Sequence, residues 1–94
     1  MIDEYGAITF RKEMMHLNNA AIQLRNNPAQ SLVVIKYRVL GVSASAMKKK
    51  AVRVLNYLAS KRVANNRVKV IVNEGTYDHT VLWLVPRGAA IPTP

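Results

Sequence analysis

The chain has no cysteine among its 94 residues, which excludes a disulfide framework and thiolate chemistry and leaves the redox compartment open. Acids are scarce as well: five Asp and Glu stand against 14 Lys and Arg, for a formal charge of +9. The five, Asp3, Glu4, Glu13, Glu74 and Asp78, offer no pair with evident acid–base logic, and His16 and His79 are isolated. The expectation is therefore a protein that is not an enzyme. The nearest approach to a metal set is His79 with Asp78 and Glu74, whose spacing matches neither a structural nor a catalytic site. Glycine occurs at 6, 41, 75 and 88 and forms no phosphate-cradling loop, so no cofactor is expected. No apolar run approaches the roughly 20 residues of a membrane-spanning helix. The first residues, MIDEYG, lack the basic and apolar regions of a secretory signal, so an exported form would already have lost its leader.

What is present is patterning. From Thr9, a plausible N-cap with Glu13 in the following turn, the apolar positions Phe10, Met14, Leu17, Ala21 and Leu24 recur at helical spacing and predict a first helix, ended by Asn26-Asn27-Pro28. Before it, Tyr5-Gly6 reads as a turn and Ala7-Ile8 as a hint of extended chain, so any strand there is short. Ser31–Tyr37 is β-branched and apolar, as in a central strand covered on both faces. A loop from Arg38 to Ser45 leads into a second helix whose stripe is Met47, Ala51, Val54, Leu55 and Leu58, with Lys49, Lys50, Arg53 and Tyr57 on the opposite side.

Asn65-Asn66 ends that pattern, and Val68–Val72 reads as a strand parallel to the first, reached by a right-handed crossover. A turn over Asn73–Asp78 then predicts an antiparallel neighbour at Thr80–Val85, closed by Pro86. The fold class is thus an α/β (α+β) two-layer sandwich, ordered βαβαββ, with two helices on one face of a small mixed sheet and a short or missing first strand. Residues 1–86 form one domain, and 87–94 read as a flexible tail with Gly88, Pro92 and Pro94.

The basic balance attracts polyanions: nucleic acid, anionic lipid or the acidic face of a protein partner. The run Lys48-Lys49-Lys50 with Arg53, continued by Lys61, Arg62 and Arg67, reads either as a solvated helix face or as a docking face. Tyr37, Tyr57 and Trp83 are possible stacking platforms beside those cations, although Trp83 also suits the cap of a core.

These residues resemble the OmpA-like C-terminal domain, a peptidoglycan-binding module of bacterial envelopes, from about Asp3 to Val85. Lys50-Ala51, Val54 and Tyr57-Leu58 follow the second-helix motif of that family, and Arg67-Val68 falls where its next strand begins. The resemblance implies a non-enzymatic binding or anchoring module of the cell envelope or periplasm, with the loop Arg38–Ser45 and the start of the second helix as its site. The ligand residues it implies are then Arg38, Ser43, Lys49, Lys50 and Arg53, with Lys50 and Arg53 contacting carboxylates. In the family an aspartate and an arginine grip the diaminopimelate of the peptide stem; here Val39 and Lys50 fall at those places. Lysine keeps the charge without the planar fork, and valine cannot bind an ammonium. Peptidoglycan binding is expected to be weakened or lost, with docking to an acidic protein partner or nucleic acid as the alternative. The family's first strand would lie at or before Met1, leaving a sheet edge for an oligomer or assembly.

Overall fold

Thr9 starts the first helix as expected: its hydroxyl accepts from the Lys12 amide, and α1 runs from Phe10 to Asn26. The computed structural model describes residues 1–39 and 41–88, so most of the expected tail lies outside the described residues. β1 (Asp3–Gly6) precedes α1, and β2 (Gln30–Arg38), α2 (Ala44–Ser60), a 3-10 turn (Asn65–Arg67), β3 (Val68–Glu74) and β4 (His79–Pro86) follow. Two helices pack on one face of a mixed four-stranded sheet, in the order βαβαββ.

The sheet order is β1-β4-β2-β3. β2 runs parallel to β3, from Leu32 opposite Val68 to Arg38 opposite Glu74. It runs antiparallel to β4, which also pairs with β1 from Asp3 opposite Leu82 to Gly6 opposite His79. Two expectations are corrected here. The family's strand position at or before Met1 gives way to Asp3–Gly6, and Tyr5 is a strand residue, 8% exposed, rather than part of a turn. Nor are β3 and β4 neighbours, despite the short link between them. β4 buries Thr80, Val81, Leu82 and Val85, so it takes a two-sided place between β1 and β2; β3 alternates between half-buried and exposed positions and takes the edge.

The link from β3 to β4 therefore passes over the end of β2. The Gly75 amide donates to the Arg38 carbonyl at 2.9 Å. A Cβ at residue 75 would lie 2.9 Å from the Tyr37 Cβ, so the crossing requires glycine.

The main core lies between sheet and helices and contains Leu17, Ala21 and Leu24 of α1, Leu32 and Val34 of β2, Val54 and Leu58 of α2, and Leu82 of β4. On the other face no described helix or strand covers β2, contrary to expectation. Val33 and Ile35 are nonetheless 2% and 1% exposed, because Trp83, Ile71 and Tyr37 close over them together with Val85. Trp83 is thus the cap of a second apolar layer.

α2 ends in a Schellman motif. The Val63 amide donates to the Leu58 carbonyl and the Arg62 amide to that of Ala59, with Arg62 at φ 64° where glycine is usual. Arg67, expected among the docking cations, has a structural task instead. Its guanidinium sits among the carbonyls of Leu24, Asn27 and Gln30, capping the negative end of α1.

Candidate functional site

Lys36 interrupts an otherwise apolar strand, and strand alternation aims it at the helices alongside Leu32 and Val34. Glu13 falls on the inward stripe of α1, between Phe10 and Leu17. The fold brings the two together. Lys36 Nζ lies 2.6 Å from Glu13 Oε2, and both side chains are more than nine-tenths buried. The same carboxylate oxygen accepts from the Tyr5 hydroxyl at 2.6 Å, and Lys36 donates to Thr80 Oγ1 at 3.3 Å.

Burial, followed by the hydrogen bond to Glu13 and its negative charge, pushes the Tyr5 phenol far above its ordinary value of 10.0. Tyr5 is therefore a permanent donor here. Its ring also leans on His16, at 4.6 Å between centroids, and His16 Nδ1 meets Asp3 Oδ2 at 2.5 Å.

Above this network opens a small cleft between the N-terminal turns of the two helices, lined by Tyr5, Glu13, Lys36, Thr80, Lys50 and Arg53 among others. Its volume of about 40 Å³ has room for water and not for a substrate. Any ligand group must dock at the mouth. There Arg53 is held by Phe10, whose ring centroid lies 4.2 Å from its guanidinium carbon. Asp78 stands on the same rim, so three cations face the two carboxylates of Glu13 and Asp78.

The five residues singled out from sequence divide between locations. Lys50 and Arg53 share the cleft, and Tyr57 packs against the main core. Arg53 is exposed, as the periodicity suggested, whereas Lys50 and Tyr57 are half-buried because long side chains lay their stems along the core margin. Lys49 does face solvent. Arg38 turns to Glu74, 3.2 Å away, and with Val39, Gly41 and Val42 lines a separate recess. The Ser43 hydroxyl is the N-cap of α2, accepting from the Ala46 amide at 3.1 Å. The loop after β2 and the start of α2 thus form two sites rather than one.

Tyr5, Glu13, Lys36 and Thr80 were missed by sequence reasoning. The signal was available: an acid on a helix's inward stripe and a lysine on the inward alternation of a central strand imply a buried pair. His79, weighed for a metal set, lies 3.3 Å from Glu4 through Nε2. No group of three or more potential metal ligands occurs among the described residues, and no helix there is long and apolar enough to cross a membrane. No protein-family model matches this chain, and no curated protein matches it.

Proposed function

We propose that this chain is a non-enzymatic binding or anchoring module of the bacterial cell envelope, of the OmpA-like kind, that docks a carboxylate-bearing partner at the mouth of the Lys50–Arg53 cleft. One observation carries the reading. Arg53, stacked on Phe10, and Lys50 stand together above a self-satisfied interior network, so their charges are available to an incoming acid. The order βαβαββ with both helices on one face is compatible with that family's scaffold. Ordinary peptidoglycan binding is weakened or lost, because Val39 offers no carboxylate and lines a different recess from Lys50.

An alternative reading, a basic subunit docking to nucleic acid or to a broad acidic protein face, has its own support. Among the described residues Lys36 and Arg38 are the lysine and arginine side chains that pair with acids. Arg25, Lys61 and Arg62 crowd one recess at the C-terminal ends of the helices. The edges of β1 and β3 offer a route to assembly in either reading.

Retention on purified sacculi, poly-glutamate and duplex DNA, across a salt series, separates these. The leading reading expects weak retention on sacculi and poly-glutamate binding that drops about 3- to 10-fold in the double variant Lys50→Ala/Arg53→Ala, as two rim charges warrant. Equal binding by that variant sinks it. Tight DNA binding that falls steeply with salt assigns the alternative.

A further inference from the structure

On the sheet face turned away from the helices, the strand register gathers a set of side chains that the cleft does not use. Tyr37 of β2 stands opposite His79 of β4, Val33 opposite Trp83, and Glu4 of β1 opposite Val81. The turn after β3 closes one end. Gly75 lets it ride directly on Tyr37, and Tyr77 leans over His79 with ring centroids 5.1 Å apart and planes at 51°. Tyr37 and His79 are themselves 5.7 Å apart at 30°. With Trp83 and Val81 as the floor, these rings enclose an open recess of about 390 Å³, within the size range of small-molecule sites.

The recess does not share the basic lining of the rest of the surface. None of the 14 Lys and Arg lines it. Its carboxylate is Glu4, about half exposed, with His79 Nε2 3.3 Å away. Met1, 59% exposed, also lines it. Three aromatic residues and a histidine around a single carboxylate are the elements of a cation cage. Ring faces carry negative potential, and they attract an ammonium within about 6 Å of a centroid, most strongly when its hydration shell is thin. A free anion is repelled by Glu4, whereas a strongly hydrated metal ion has too few oxygens to replace its water.

We infer that this recess binds an organic ammonium group of the quaternary or alkylated type, the methyl groups lying on Trp83 and Val81 and the charge held by Glu4 and the rings of Tyr37 and Tyr77. The site lies across the sheet from Lys50 and Arg53 and does not depend on the function proposed for that cleft.

Choline and its uncharged carbon isostere, 3,3-dimethyl-1-butanol, have the same shape and differ in charge. Titration of each into the full chain at constant ionic strength, followed through the indole N–H signal of Trp83, the one tryptophan, reads the recess directly. Choline is expected to shift that signal saturably, and the isostere to bind about 2- to 30-fold more weakly, the range that cation–π contacts provide. Tyr77→Ala and Glu4→Gln should each weaken choline by a similar factor. Both residues are exposed enough to replace without disturbing the core, and Lys61→Ala serves as the unaffected control. A parallel arm with phosphatidylcholine vesicles distinguishes a lipid headgroup from a free metabolite as the natural source. Equal affinity for the isostere, no saturable shift with choline, or unchanged binding in both variants overturns the inference.

Discussion

Burying the ammonium of Lys36 and the carboxylate of Glu13 removes both from water, and a 2.6 Å contact offsets that cost only because Tyr5 and Thr80 occupy further hydrogen-bonding positions. Breaking the pair from one side strands the other charge. Lys36→Met should destabilise the fold by about 3–5 kcal/mol. The double variant Glu13→Leu/Lys36→Met should recover much of that loss, leaving mainly the orphaned Tyr5 hydroxyl. Urea denaturation of the two single variants and the double closes the cycle, and simple additivity would show that the two groups do not act as a pair. Tyr5 itself makes stability depend on high pH. Its folded-state pKa is raised, so the folded protein keeps the proton that the unfolded chain releases above about pH 10. That contribution is fully present below pH 10 and is lost as pH rises beyond it, with a slope approaching about 1.4 kcal/mol per pH unit. Tyr5→Phe removes this component. Between pH 10 and 12 the wild type should lose stability more steeply than the variant, and parallel pH profiles would refute the assignment. Residue by residue, the cap Thr9 was legible because its hydrogen bond is local, whereas Ser43, whose cap bond is equally local, was read as a ligand residue. The Lys36–Glu13 pair joins positions 23 apart and could be read only by treating helix and strand patterns together.

Among the elements, the helix spans and the strands β2, β3 and β4 followed from periodicity, whereas β1 and the strand order did not. A link of four residues, Gly75 to Asp78, ordinarily makes a hairpin. Here the competition for β2 decides: its two edges are taken by β3 through a helical crossover and by β4 through the more apolar pairing, and β1 completes the far side of β4. Nothing local to the turn encodes that outcome except Gly75, whose need becomes clear only when Tyr37 is seen beneath it. Gly75→Ala forces a methyl to 2.9 Å from a side-chain root that cannot rotate away. It should cost about 1–3 kcal/mol, the range of overpacking, while the remote Gly88→Ala control has no neighbour within 4 Å to displace. Thermal melts of the two variants compare the two effects, Gly88→Ala reporting only the backbone strain of a φ of 79° that glycine does not feel. A Gly75→Ala chain as stable as wild type would mean that the link does not ride on β2.

At the scale of the molecule, the acids are largely spent on internal partners. Asp3 meets His16, Glu4 meets His79, Glu13 meets Lys36 and Glu74 meets Arg38. What faces outward is thus more cationic than composition alone suggests, and two recesses differ in lining: a lysine- and arginine-bearing cleft on the helix side and an aromatic one with Glu4 across the sheet. The position of β4 has a separate consequence for how such a chain comes off the ribosome. β1 is made first, yet its pairing partner is the last strand to emerge. Until then the native sheet place of Tyr5 does not exist and the edge of β2 that β4 covers has no partner. The four-stranded sheet can close only once β4 is available to sit between β1 and β2. A stalled or shortened chain is therefore exposed along its most apolar edge, which is where nascent-chain chaperones and aggregation compete.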